Sequence, residues 1–369
     1  MKFNLILLMS IVCTSAYSLN DRYFSRSPKA LLMGDAFTSI ADDEYTLYYN
    51  PAILARHKGL SFWAINPQIT VTNILSESDK FSNTGSTTGD FVDNFVDTPI
   101  HIGLNASPGF KLGRFGFTAI VNNQTNMNVV NNYTPMLDID HHYDRGFIAG
   151  YGFPLNGDLA FGMSVKYVQR ESIFGTYNLL SSTTIDLIDR ISNADDVSEY
   201  SDLLADAFGK AEGSAWGVDF GLDYVKRKGK NLFTMGLSIL DAYTKFNTTS
   251  SSRQSSVQAQ PLKANFGASY LIKQAGFGVL FSGDIRNLET FELDFSKRIR
   301  LGSELILTPA LSVLAGLNSG QYSYGIKLDL GAVKTYAGIY GVDIGERANQ
   351  QTSQRAVIYL SLLDFNFDV

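Results

Sequence analysis

The stretch Trp216 to Tyr224 reads WGVDFGLDY. Trp216, Val218, Phe220, Leu222 and Tyr224 fall on one parity, and Gly217, Asp219, Gly221 and Asp223 on the other. Side chains of an extended strand point alternately to its two faces, so one face here is wholly apolar and the other is glycine and aspartate. The same division recurs at Leu159, Phe161, Met163, Val165 and Tyr167 against Ala160, Gly162, Ser164 and Lys166. It recurs again at Tyr322, Tyr324, Ile326, Leu328 and Leu330 against Ser323, Gly325, Lys327 and Asp329. Each apolar face runs for about 9 to 11 residues, the length a tilted strand needs to cross a bilayer. A soluble sandwich would show Lys, Glu and Thr to water on its second face. Glycine at this density instead suits the inside of a closed barrel, where opposite walls or a plug must fit.

Counting outward from these segments gives about fourteen strands, at 59–72, 98–108, 114–125, 143–153, 158–172, 213–226, 231–241, 262–273, 275–286, 297–308, 311–318, 322–330, 333–341 and 354–366. Long polar connections such as Asn73–Asp97 and Asn247–Pro261 alternate with short ones such as Arg227–Lys230, as extracellular loops alternate with periplasmic turns. The fold expected is all-β: a transmembrane antiparallel up-and-down barrel, its C-terminal strand ending in Phe365 and Phe367. The loop of about Ser172 to Gly213 repeats Leu187, Ile191, Leu203, Leu204 and Phe208 at near-helical spacing, so it is expected to be partly helical.

The chain ends and composition agree. Residues 1–18 have Lys2, an apolar run from Leu5 to Cys13 and then small residues, the layout of a secretory signal peptide. The only cysteine is Cys13, so the segment after it offers no disulfide, thiol nucleophile or thiolate metal site. A net charge of −6 argues against nucleic acid as a partner. With 25 Phe, 19 Tyr and 32 Gly but no apolar run of about 20 residues after the signal, the location expected is the outer membrane of a Gram-negative-type cell.

Ahead of the first strand stands SPKALLMGDAFTSIADDEYTLYYNPAILA, Ser27 to Ala55. Its Leu32-Met33-Gly34, Ala41-Asp42-Asp43 and Tyr48-Tyr49-Asn50-Pro51-Ala52 resemble the N-terminal hatch of the FadL/PorV group of outer-membrane barrels. PLKANFGASYLI and RLGSELILTPALSVLAGLNSGQYSYGIKLDL resemble late strands of PorV-like members, so the likeness covers both ends of the chain and little of the middle. The resemblance implies a hatch at residues 19–58 folded inside a barrel of residues 59–369. It also implies passive uptake of a hydrophobic small molecule such as a long-chain fatty acid, or alternatively a non-conducting scaffold for a protein partner in secretion or surface assembly. Gly34, Asp42, Asp43, Tyr48, Tyr49, Asn50 and Pro51 then form the hatch motif. Pro51 turns the chain sharply, Asn50 bonds nearby backbone, and Asp42 and Asp43 are expected to meet lumenal Lys or Arg.

Pro67 interrupts the first strand and removes a ladder hydrogen bond, which marks a bulge or kink. About eight residues into the strand, it is expected in the outer half of the wall or just above it, either as a bend above the lipid with no transport role or as the kind of kink that FadL-type barrels use as a lateral exit. On the inward parity lie Lys166, Asp219, Asp223, Lys263, Asp284, Arg300, Glu304, Lys327 and Asp329, expected to pair with one another and with the hatch. Of the histidines, His57 precedes the first strand, His101 falls on a strand, and His141 and His142 are expected in an extracellular loop beside Asp138, Asp140 and Asp144. None has a serine or carboxylate at a recognisable catalytic spacing, so no enzyme activity, cofactor or metal is expected. The partners expected are outer-membrane lipid and either a hydrophobic ligand or a protein.

Overall fold

Period-2 alternation commits each wall segment to one register, because a one-residue slip would turn every apolar side chain inward. The computed structural model describes residues 22–73, 96, 98–131, 133–181, 208–251, 257–274, 276–345 and 350–367, and there the strands join in one antiparallel sheet. The expected signal peptide and most of the expected loop helices lie outside the described residues.

β1 (Leu60–Ile65) and β2 (Gln68–Thr72) are two halves of the first wall strand, and β3 (Ile100–Ala106) and β4 (Gly109–Leu112) two halves of the second. The hairpins β5 (Phe115–Val130), β6 (Met136–Pro154), β7 (Leu159–Asn178), β8 (Ala211–Lys228) and β9 (Asn231–Leu240) follow. β10 (Asn247–Ser251) adds to the outer end of β8, and β11 (Lys263–Lys273) returns to β9. β12 (Gly278–Ile285), β13 (Ile299–Ile306), β14 (Leu311–Asn318), β15 (Gln321–Asp329), β16 (Val333–Asp343) and β17 (Thr352–Phe367) complete the circuit. β17 pairs with both β1 and β2, so the barrel closes with 14 wall strands.

The two faces sort as the alternation requires. Trp216, Phe220 and Leu222 are exposed on the outside, while Asp219 and Asp223 are buried inside. Outward rings gather toward the two rims, with Tyr167 and Trp216 5.0 Å apart on the outer side and Tyr151 and Phe153 4.7 Å apart near the periplasmic turn. Aromatic side chains of this kind anchor a barrel at both membrane interfaces. No described helix is long and apolar enough to cross a membrane. The protein is an outer-membrane β-barrel.

One expectation needs correction. β6 and β7 run on well past the bilayer, pairing from Met136↔Asn178 to Pro154↔Ala160. His141 and His142 are therefore on β6 and not in a loop, because polar residues that alternate above the lipid still continue a ladder. His142 faces inward with Asp138, Asp140 and Asp144, and is buried. Pro67 lies between exposed Ile65 and Ile69, within the lipid-facing band.

The lumen holds residues 22–58, almost all of them buried. Helix α1 (Pro28–Leu32) starts with Pro28 at its first position, and the Ser27 hydroxyl accepts from Ala30 N at 3.2 Å. Helix α2 (Thr46–Tyr49) leads into a 3-10 turn, Pro51–Arg56. Leu32, Met33, Phe37, Tyr45, Tyr49 and Leu54 form the core with inward-facing Ile148, Tyr336 and Tyr359 of the wall. Full burial of such side chains stabilises by about 1.5–3 kcal/mol each.

Candidate functional site

The glycines of the inner face are the sockets of this plug. Gly152, Gly162 and Gly221 are cross-strand neighbours on β6, β7 and β8. A Cβ at any of them would overlap hatch atoms of Asn50 to Ala55. Gly302 and Gly316, paired on β13 and β14, lie under Met33 and Gly34, and Gly325 and Gly338, paired on β15 and β16, lie under Leu32. The hatch thus rests on bare strand backbone at three places. Gly34 itself has φ +63°, and a side chain there would meet the Leu301 and Leu317 backbone, so both its conformation and its space require glycine.

Asn50 is the hub of the knot. Its Oδ1 accepts from Ala52 N at 3.1 Å, and its Nδ2 donates to Thr38 O at 3.2 Å and to Leu222 O of the wall at 3.0 Å. Pro51 begins the 3-10 turn, where its missing N–H costs nothing. Tyr49 donates to Asp35 at 3.0 Å and meets Phe37 edge-on, with ring centres 5.1 Å apart. Tyr48 lies 3.0 Å from Ser107 Oγ and donates to Ala119 O at 3.2 Å.

The hatch carboxylates work mostly within the hatch. Asp42 is exposed toward the periplasmic mouth, 3.8 Å from Lys29, which also pairs with wall Glu304 at 3.0 Å. Asp43 accepts from Ser27 Oγ and from Tyr45 N. Wall Lys111 donates to the Asp42 and Asp43 carbonyls and to Thr46 Oγ1, not to a carboxylate. Burial, then the neighbouring Glu44 charge, pushes the Asp43 carboxyl up to about 7, and the nearby Asp42 adds to the shift. Ser27 and Lys111 oppose it. The seated hatch therefore holds a proton that a freed hatch releases, and seating weakens as pH rises from about 4 to about 7. Asp42 and Glu44 shift downward, which gives the opposite slope only in stronger acid. Limited proteolysis of the hatch across pH 4–8 is expected to quicken toward neutral pH, and Asp43→Asn is expected to flatten the profile between pH 4 and 7.

The inward charges of the wall meet partners as follows. Lys166 lies 2.7 Å from Asp219 and 2.6 Å from Asp241. Asp223 takes both ends of the Arg56 guanidinium. Lys263 donates to Arg22 O and sits 3.4 Å over the Tyr23 ring. Asp284 accepts from Phe37 N and Thr38 N, both at 2.8 Å, and from Thr38 Oγ1 at 2.7 Å. Arg300 donates to Lys297 O and Ser319 Oγ, each at 2.6 Å, away from the hatch. Lys327 and Asp329 pair with each other at 3.1 Å, partly exposed. Sequence reasoning did not nominate Arg286, which binds Asp35 O at 2.7 Å, or Asp241. It also passed over Arg170, which grips Asp144 at 2.6 and 2.8 Å.

At Pro67 the ladder behaves differently on its two sides. Toward β17 it stays in register from Trp63↔Asp364 to Gln68↔Tyr359, and Leu360 N donates to Pro67 O at 3.1 Å. Toward β3 and β4 the pairs Trp63↔Gly109 and Gln68↔Asn105 set five steps on one strand against four on the other. The seam lies where Asn66 faces Ser107. Side chains close it: Ser107 N donates to Asn66 Oδ1 at 2.9 Å, and Ser107 O receives Asn66 Nδ2 at 3.1 Å and Trp63 Nε1 at 2.6 Å. Tyr48 of the hatch bears on the same Ser107. Asn66→Ala leaves a wall amide unpaired, a cost of about 1–3 kcal/mol, so exchange of the Ser107 amide is expected to quicken about tenfold to a hundredfold.

His101, buried, bonds Thr70 Oγ1 at 2.9 Å and Asn126 Oδ1 at 2.8 Å. His57 bridges the Gly113 carbonyl at 2.9 Å and Ser61 Oγ at 2.7 Å, while Ser61 donates to Asn366 at 2.9 Å. The i, i+4 spacing of His57 and Ser61 was the only signal for that contact, and it crosses from turn to strand. Among the described residues no group of three or more metal-type side chains stands together. Above the hatch an opening of about 120 Å³ is lined by Arg22, Arg26, Arg355, Asp140, Met127 and Ile344, among others.

No family model matches the chain, and no curated protein matches it in sequence. Among solved structures, a deltaS2S3 mutant of the TodX monoaromatic hydrocarbon channel matches at TM-score 0.50 and 13% identity, over 93% of this chain and 99% of that one. A second TodX deletion mutant matches at TM-score 0.49 and 12% identity, over 92% and 99%. The Ralstonia pickettii toluene transporter TbuX matches at TM-score 0.47 and 12% identity, over 94% and 100%. At such identities the likeness is one of fold alone. With the closed 14-strand wall and the N-terminal plug seated in it, this chain has the fold of the FadL-type outer-membrane barrels.

Proposed function

We propose that this barrel is a passive channel for hydrophobic small molecules, and that its cargo ends in a carboxylate, as long-chain fatty acids do. The observation that carries the reading is the vestibule above the hatch. Arg22, Arg26 and Arg355 line it together with Ile100, Met127, Val342 and Ile344, against Asp138 and Asp140. Its roughly 120 Å³ is the room of about four waters, enough for a carboxylate head group beside an apolar wall. The Arg22 guanidinium reaches Asp140 only at 3.6 Å and Ala259 O at 3.3 Å, so a carboxylate would strengthen its pairing. From there the path needs the hatch to move, and the Asn66–Ser107 seam offers a side exit into the membrane.

The chain is read as a carrier of molecules with no chemistry of its own. Ser61, whose hydroxyl donates to Asn366, serves with His57 as a tie between hatch and wall. Uptake of a fluorescent long-chain fatty acid by cells making this barrel as their only such channel tests the reading. Uptake is expected to exceed that of the matched fatty alcohol, and Arg355→Ala is expected to lower it about tenfold, the worth of one charge-assisted hydrogen bond. Equal uptake of acid and alcohol would remove the carboxylate from the proposal.

One observation favours a second reading, a non-conducting scaffold that binds a protein partner. The hatch fills the described lumen, and wall charges such as Lys166, Asp219 and Asp284 are already paired. A stoichiometric protein partner with no bound hydrophobe would support it.

A further inference from the structure

Two features of the outer surface that play no part in the channel reading lie one above the other. The first is cationic. The periplasmic end of β8 carries Arg227 and Lys228, its turn to β9 carries Lys230, and the neighbouring β11 ends at Lys273, all exposed. Among the described residues none of the four has an ion-pair partner, whereas the adjacent Lys226 is matched by Asp158 at 2.6 Å. The turn and the β11 end are tied together, since Lys273 N donates to Asn231 Oδ1 at 3.4 Å and Asn231 Nδ2 to the Tyr270 hydroxyl at 3.2 Å.

The second is an apolar groove of about 820 Å³ on the lipid-facing wall. Its floor is made of small outward residues, among them Ala268, Gly283 and Ala315, and its sides of Tyr270, Phe281 and Tyr324. Cross-strand pairs carry it obliquely over the wall, from Phe233↔Tyr270 through Tyr270↔Phe281 and Phe281↔Ser303 to Ala315↔Tyr324. Its lower end is Phe233 with Tyr270, three residues from Lys230 and Lys273. At a strand rise of about 3.3 Å per residue, that places the cations roughly 10 Å below the groove, at head-group level.

We infer that this face is a binding site for an anionic phospholipid of the inner leaflet, its phosphate held by Arg227, Lys228, Lys230 and Lys273 and an acyl chain laid in the groove. Charge fixes the head-group class, because four unmatched cations at a membrane surface select anionic over zwitterionic lipid. The small floor residues fix where the chain lies, since larger outward side chains surround them.

Native mass spectrometry of the folded barrel, exchanged from detergent into mixed phosphatidylglycerol and phosphatidylcholine, tests the site. Heat-modifiable migration on gels confirms that each variant is folded. The parent is expected to retain phosphatidylglycerol about tenfold over phosphatidylcholine, less so as salt rises. The triple variant Arg227→Gln, Lys228→Gln, Lys230→Gln is expected to bring the ratio close to one. Ala315→Phe, which fills the groove without touching a charge, is expected to lower retention of both lipids while keeping their ratio. Equal retention of the two lipids by the parent would overturn the site, as would a preference that survives the triple variant. Unchanged retention by Ala315→Phe would overturn the placement of the chain.

Discussion

Gly162→Val barrels are expected to conduct ions steadily in planar bilayers under conditions where the parent is nearly silent. Gly162 lies in the middle of the Gly152–Gly162–Gly221 row, and a side chain there would overlap the backbone of Pro51 and Ala52. Backbone held by a capped 3-10 turn cannot give way as a flexible side chain can, so the turn must lift. Valine suits a strand, and β7 keeps its ladders to β6 and β8, so the wall still closes. The effect is therefore expected on the plug and not on the barrel. Protease cleavage near Arg56 should appear alongside the conductance. A silent, protease-resistant Gly162→Val barrel would mean that the hatch does not depend on this socket.

Asp284→Ala is expected to be the most damaging single change among the lumenal charges. Asp284 satisfies two backbone N–H groups and one hydroxyl of the hatch, and its carboxylate faces Arg286 at 3.6 Å. Arg286 is fully buried and would keep only Asp35, at 3.4 Å, as a counter-charge. Removing one partner of a buried ionic cluster costs about 3–5 kcal/mol, far more than loss of a solvent-screened pair such as Lys226–Asp158. Hydrogen exchange at the Phe37 and Thr38 amides is the direct readout, with protection falling by at least about a hundredfold. Asp284→Asn, which can still accept from those amides, should lose less.

The wall was legible because a barrel strand repeats one instruction, apolar out and small or charged in, and WGVDFGLDY states it without exception. The paired glycines were legible as a population but not as sockets, since which glycine meets which hatch atom depends on cross-strand register. His141 and His142 were misplaced because polarity above the lipid looks like a loop, although Asp138, Asp140, His142 and Asp144 keep a period of two. Arg286 shares the parity of Asp284 and could have been read from it. Asp241, just past the end of β9, left no such trace. The Asn66–Ser107 seam was half visible: each strand has a proline, but only pairing sets Asn66 opposite Ser107.

The proposed route through the plugged lumen requires the barrel to hold a hydrophobic carboxylate. Native mass spectrometry with lipid extraction, on barrel purified in mild detergent from cells that made it, tests this most directly. A bound long-chain acid at near one per barrel is expected, lost when Arg355→Ala weakens the vestibule. A barrel that carries no hydrophobe, and instead holds a second protein in fixed ratio, would contradict it.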